Sequence, residues 1–320
     1  MKPTETLTTL LFYPNRNPRL RMFALWYFTT LIVLWTVLGH TVLGFEQSWA
    51  HPLVGVAAAC VVQVLLEWVD ARARSRSPRF AGGITSFLNF LPPAIIPGTA
   101  VAMLIYPNQS LAPVAFAAAL SIASKGLFRA PVGEGTQHVF NPSNLGISLT
   151  LLLFPWVGLA PPYHFTENVS AAWNWIIPGI ILATGIFVHA RFTGRLPLVL
   201  GWLGGFAAQG LLRSAAFGIP WVVPFVPVTS AGFILFTLYM IPDPATTPLG
   251  RRQQVLFGAA VAALYGLLLV GHVVFGLFFA LLGVSALRGL GLYGTQWQAR
   301  WRARVRPPAL EPVTMARMKG

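Results

Sequence analysis

Few side chains in this sequence could do chemistry, and they cluster. The stretch from Ser124 to Gly146 holds Lys125, Arg129, Glu134, Gln137, His138, Asn141 and Asn144. It offers amide, cationic and imidazole groups beside a helix start. Asn141 or Ser143 can cap that helix, and Gly133 and Gly135 allow a close backbone approach. It has no Gly-Lys-Ser/Thr, so it is not a nucleotide phosphate loop. A second cluster is Pro242-Asp243-Pro244-Ala245-Thr246-Thr247, where two prolines hold the backbone around Asp243 extended. A third is the polar loop from Pro161 to Trp173. The six histidines form no His-x3-His pair, so no metal site is expected. One cysteine, Cys60, leaves no intrachain disulfide and no iron–sulfur cluster.

The elements that must hold these groups are apolar. Of 320 residues, 55% are hydrophobic and 9% charged, with a mean hydropathy of +0.66. Soluble proteins carry about 25% charged residues. This composition excludes a soluble globular enzyme and a disordered chain, and points to a polytopic membrane protein. Runs able to span a bilayer lie at 22–44, 52–69, 144–160, 174–189, 196–212 and 221–241. Two further charge-free stretches, 80–124 and 253–287, are too long for one helix. They break at Tyr106-Pro107-Asn108-Gln109-Ser110 and at Gly271-His272. The expected fold is all-α, with ten transmembrane helices over residues 22–289, a short segment 1–21 before them and a basic tail 290–320 after them.

Charge tests that count. The formal net charge is +14, and 21 of the 22 Lys and Arg fall on the face shared by both termini, with Arg213 on the other. The positive-inside rule then makes both termini cytoplasmic. The excess charge thus follows from topology, and no nucleic-acid partner is expected. The bilayer itself is the expected partner, the Trp- and Arg-rich tail anchoring at its surface. Ten spans divide into halves of about 22–160 and 174–289. An odd set of five emerges on the opposite face, so duplicated halves would be inverted. The third span of each half is broken by prolines: Pro92, Pro93 and Pro97 in one, Pro220, Pro224 and Pro227 in the other.

Ser124-Lys125 with a Gly-containing loop, then Phe140-Asn141-Pro142-Ser143-Asn144-Leu145-Gly146 and Phe154-Pro155, resembles the NqrB/RnfD family. Its members are the flavin-carrying membrane subunits of sodium-pumping NADH:quinone reductase and of the Rnf complex. A Phe-Asn-Pro-Ala type motif opens one membrane helix in that family, and a Thr-Asp-Pro-Val type motif closes a later one. Pro242 to Thr247 is similar to the second. The likeness runs from span two to span ten. It is nearest to the divergent UnbU-type branch encoded beside enediyne biosynthesis genes, through the stretch His164 to Trp175.

The resemblance implies a ten-helix bundle of two inverted five-helix repeats in a bacterial inner membrane. It implies an electron-transfer subunit working with redox partner subunits or quinone. One motif departs: family members carry FMN as a phosphoester on the Thr of a Ser-Gly-Ala-Thr motif, where this chain has Ser170-Ala171-Ala172-Trp173. An indole has no hydroxyl to esterify, so only a noncovalent flavin (riboflavin or FMN) is expected. Asn141 and Asn144 would orient its ring, Lys125 or Arg129 would offset the charge of its reduced form, and Asp243 and Thr246 would hold the second motif's loop. One flavin is too few for electron passage across about 30 Å of hydrocarbon. Two alternatives therefore stand beside this one: a transporter or channel-like protein on the same scaffold, and a membrane anchor for a biosynthetic complex.

Overall fold

The computed structural model describes residues 18–132, 135–160, 168–170 and 172–305. Most of the N-terminal segment, the end of the basic tail, and loop residues 161–167, with most of the Pro161–Trp173 cluster, lie outside it.

About 75% of the described chain is helical. Its helices are α1 (Pro18–Leu38), α2 (Ala50–Ala73), α3 (Ile84–Phe90), α4 (Pro92–Leu104), α5 (Ala112–Leu127) and α6 (Pro142–Leu153). They continue with α7 (Trp173–Val188), α8 (Leu196–Phe217), α9 (Ala231–Leu235), α10 (Arg251–Val270) and α11 (Gly276–Val305). Two short ribbons complete it. β1 (Ile105–Tyr106) pairs antiparallel with β4 (Gly158–Leu159), and β2 (Arg129–Val132) with β3 (Gly135–His138). Among the described residues, six helical stretches are long and apolar enough to cross a membrane: 22–43, 50–73, 84–104, 173–193, 251–270 and 276–302. Large apolar side chains stand on the outer surface, among them Leu53, Leu65, Ile176, Leu212 and Leu256. In water such a surface would drive aggregation; against lipid it costs nothing.

Prolines set where the regular pattern fails. The sequence predicts a span over 144–160, yet α6 ends at Leu153 because Phe154 precedes Pro155 and leaves the helical region (φ −120°, ψ 84°). Residues 221–241 form no single helix. Pro224 and Pro227 yield a 3₁₀ segment, Val223–Thr229, followed by α9 and a π-helical turn, Phe236–Met240. The predicted break at Gly271-His272 is present between α10 and α11.

Two other π-helical turns close α1 (Gly39–Leu43) and α7 (His189–Thr193). Each ends on a glycine with positive φ, Gly44 at 85° and Gly194 at 62°, whose N–H returns to the first carbonyl of the turn.

Close helix packing rests on small residues. A Cβ at Gly98 of α4 would lie 2.7 Å from the Gly55 carbonyl of α2. One at Gly258 of α10 would lie 2.4 Å from the Leu198 carbonyl of α8. Without a hydrophobic drive between helices in lipid, such approach supplies the van der Waals contact that holds them. The main core lies between α8, α9, α10 and α11 around Trp202 and Phe206, and reaches α4 and α6 through Val101 and Ile147. Outside it, the buried Glu67 and the half-exposed Asp70 pair with arginines: Arg76 reaches both at 2.5 Å, and Arg74 meets Asp70 at 2.9 Å.

Candidate functional site

The site begins with carbonyls that proline orphans. Pro97 has no N–H for the carbonyl of Pro93, one turn earlier in α4. Pro242 and Pro244 likewise have none for Leu238 and Met240. An unpaired carbonyl buried away from water costs about 1–3 kcal/mol. Each of the three is met by a side chain from another segment. Lys125 Nζ donates to Pro93 O, the His189 ring pairs with Leu238 O, and Asn141 Nδ2 donates to Met240 O at 3.1 Å. The broken helices therefore draw the polar groups inward.

Asn141 does more than this. Its Oδ1 accepts from the Asn144 N–H at 3.0 Å, capping α6, and from the Ser143 hydroxyl at 2.9 Å. Its Nδ2 also lies 3.5 Å from Asp243 Oδ2. Asp243 forms a tight turn: Oδ1 accepts from the Ala245 N–H at 2.9 Å and Oδ2 from the Thr246 hydroxyl at 3.2 Å.

A polar lattice fastens this turn to its neighbours. Gln137 Nε2 donates to the carbonyls of Pro244 (3.2 Å) and Thr247 (3.1 Å). Arg195 Nη2 donates to Pro244 O at 3.1 Å, and Arg288 donates to Thr246 O at 3.0 Å and to Gln137 Oε1 at 2.8 Å.

These groups close one end of a cavity of about 510 Å³. Such a volume is in the range of small-molecule sites. Lys125, His138, Asn141, Ser143 and Asp243 line its polar end. The rest of the wall is mostly apolar, from α1, α4, the end of α7 and the α9 segment, with His189, Thr193 and Tyr239 as its polar members. Along α1 it extends from Ala24 to Trp35, about 16 Å at 1.5 Å per residue. Aromatic contacts close its α1 side, with Phe28 against Tyr239 at 5.2 Å and Phe23 against Phe192 at 5.7 Å.

The sequence-predicted site residues divide into three groups. Lys125, Asn141 and Asp243 meet in the cavity. Asn144 is buried behind it, its Nδ2 donating to Phe278 O at 3.1 Å, and Thr246 is buried beneath Asp243. Arg129 is exposed and bonds within its own hairpin, to Thr136 Oγ1 at 2.8 Å. Among the described residues the cavity also has His138, a member of the first cluster, together with His189 and, one layer back, Arg195, which no motif singles out. Arg195 reads in sequence as a topology charge beside Gly194. Yet it is only 1% exposed, and no local signal marks that burial.

Burial shifts the titrations here. His138, in the hairpin, is held below its usual range by burial and then by the nearby Arg129 cation, so it is neutral at pH 7. Burial lowers Arg195 to about 10, against the pull of Asp243, which leaves it cationic at neutral pH.

The Pro97–Lys125 relation can be tested. Lys125→Met should cost about 1–3 kcal/mol by stranding the Pro93 carbonyl. Pro97→Ala restores an N–H for that carbonyl and should suppress most of that loss. Thermal unfolding of the four proteins in detergent measures the coupling; additive effects would show that Lys125 is held for another reason.

No family model matches this chain, and no curated protein matches it.

Proposed function

We propose that the chain is a ten-span membrane protein of two inverted five-span halves. In this reading it acts as an NqrB/RnfD-like electron-transfer subunit with a noncovalent flavin, riboflavin or FMN, in the cavity. The observation that carries the reading is the meeting of Asn141 and Asp243. They come from two separate motifs 102 residues apart, and they face one cavity beside Lys125.

Several features support the span count. The shorter apolar helices α5 and α6, the helix α8 and the broken segment Val223–Met240 bring the six long stretches to ten. Loops assigned to the cytoplasmic face bond to each other, as Gln137, Arg195 and Arg288 do with the Asp243 turn. Loops assigned to the outer face do the same: Gln47 donates to Ile105 O, and β1 pairs with β4. The halves also pack alike. α1 contacts α4 as α7 contacts α9; α2 contacts α5 as α8 contacts α10; α5 contacts α6 as α10 contacts α11. α1 and α7 both end in a π-helical turn and a left-handed glycine.

The cavity suits a planar ring with one polar edge. Ser143 and His138 present polar groups at one end, beside an Asn141 amide already bonded through both its nitrogen and its oxygen, while Phe28, Trp35 and Tyr239 provide flat apolar walls. Lys125 supplies positive charge beside that edge, which favours an anionic reduced ring. A bound flavin supplies reversible uptake of one or two electrons. Electrons would pass to redox partner subunits or quinone, in a bacterial inner membrane with both termini cytoplasmic.

One observation favours a second reading, transport of a small substrate. Both proline-interrupted segments, Pro92–Leu104 and Val223–Met240, contribute to the cavity wall, as the broken helices of transporters do. The visible spectrum of the detergent-purified protein, before and after acid precipitation, separates the two. The electron-transfer reading expects flavin bands that move to the supernatant. Flavin retained in the pellet would mean covalent attachment. A colourless protein that also fails to take up added flavin would leave transport as the better reading.

A further inference from the structure

We infer that the cavity takes a ligand with an anionic head, a carboxylate or a phosphate, seated against Lys125 with the Arg195 guanidinium one layer behind, and with an apolar body lying along α1. This deepens the reading of the cavity as a binding site and rests on it, but it does not require that the ligand be a flavin.

The first observation is an imbalance of charge. Lys125 in the cavity wall and Arg195 one layer back both act on one carboxylate, Asp243, which is the one acid among the described residues lining the cavity. Among the described residues, Asp243 makes no ion pair with either of them. Its oxygens are instead taken by the Ala245 N–H, the Thr246 hydroxyl and the Asn141 amide. Buried charge is normally matched by a counter-charge. Here the protein leaves positive charge unmatched beside a cavity.

The second observation is unspent donor capacity. Arg195 is 1% exposed, and only its Nη2 is engaged, with Pro244 O; Nε and Nη1 have no partner. Pro244, which it holds, lines the cavity, and so does Thr193, two residues before it. Lys125 has three N–H donors and gives one to Pro93 O. A guanidinium fork and an ammonium are the groups that recognise carboxylate and phosphate. The N-terminus of the 12-residue helix α6 adds partial positive charge, since Pro142 and Ser143 line the same end.

The third observation is the shape of what remains. The α1 side of the wall is apolar from Ala24 to Trp35, about 16 Å at 1.5 Å per residue, and Met103 adds to the apolar wall. The ligand must therefore be amphipathic, with its charge at one end.

Two matched pairs of probes test this on the full-length protein in detergent: dodecanoate against dodecanol, and FMN against riboflavin. Binding is read by quenching of tryptophan fluorescence, to which Trp35 in the wall contributes, and by thermal shift. The expected result is at least tenfold tighter binding of the charged member of one pair. Preference for FMN identifies a phosphate head, and preference for dodecanoate identifies a carboxylate on a chain. Lys125→Gln should reduce the preference to under threefold. Should that variant not fold, Arg195→Gln, which removes the cation behind the site, makes the same test. Equal binding within both pairs, or no binding of either anion, overturns the inference. A protein that binds riboflavin and FMN equally well keeps its flavin and loses the anion site. A colourless protein that selects dodecanoate does the reverse.

Discussion

Gly258→Leu is expected to remove nearly all folded protein from the membrane fraction. The first added atom would sit 2.4 Å from the Leu198 carbonyl and 2.6 Å from the Trp202 backbone nitrogen. Both are backbone atoms of α8, so no rotamer change relieves the clash. Overpacking a core that can adjust costs about 1–3 kcal/mol, and a backbone that cannot yield must cost more. Marginal stabilities of about 5–15 kcal/mol leave little room for that. The damage spreads, because α8 and α10 hold Trp202 and Phe206 in the central core. Gly204→Ala is the control. Gly204 is exposed, and an added Cβ there meets nothing within 4 Å. That change should be neutral or stabilise by up to about 1 kcal/mol, since glycine is the poorer helix former. Membrane-fraction yield and fluorescence-detected gel filtration would compare the two. A monodisperse Gly258→Leu protein at normal yield would mean that α8 and α10 are not packed as described.

Asn141→Leu should give the next largest loss, about 2–5 kcal/mol, read as a lowered melting temperature in detergent. Three separate costs add. Losing the cap of α6 costs about 0.5–2 kcal/mol. The Met240 carbonyl and the Ser143 hydroxyl each lose a buried partner, at about 1–3 kcal/mol apiece, with some relief from relaxation. Asn141→Ser separates the terms. A serine keeps a capping oxygen for the Asn144 N–H but is too short to reach Met240 O, so it should recover about the cap's share. This double duty also governs how binding data are read. Loss of ligand in Asn141→Leu alone would confuse a missing contact with a loosened wall. Loss in a serine variant whose melting temperature is mostly recovered would assign the contact to the site itself. Should Asn141→Leu melt like the parent, Asn141 is neither a cap nor a bridge between the two motifs.

Taken by itself, the sequence determined the class and the places where it would break. Long charge-free runs can only be buried or face lipid, so composition alone marked the apolar helices. The turns at Tyr106-Pro107-Asn108-Gln109-Ser110 and Gly271-His272 were legible because turn chemistry is local. Asn141 as a cap was legible for the same reason: an Asn before Pro142 satisfies N–H groups within its own turn. The extents of the segments at 144–160 and 221–241 were less so, because proline's effect on backbone geometry competes with hydropathy, and a hydropathy window does not weigh it.

Tertiary structure alone decided which polar groups meet. Lys125 finds Pro93 O, His189 finds Leu238 O and Asn141 finds Met240 O only because separate helices cross at those depths. The demand for a partner could be read from each proline; the identity of the partner could not. Arg195 is the clearest case. In the chain it is one more basic residue on the positive face, and its burial against Pro244 follows from four distant segments folding over one turn. Arg129, a few residues after Lys125 and equally plausible in the motif, stays outside because β2 carries it away from the cavity. Side-chain chemistry is local, but the dielectric and the neighbours that give it a role are set by residues a hundred positions away.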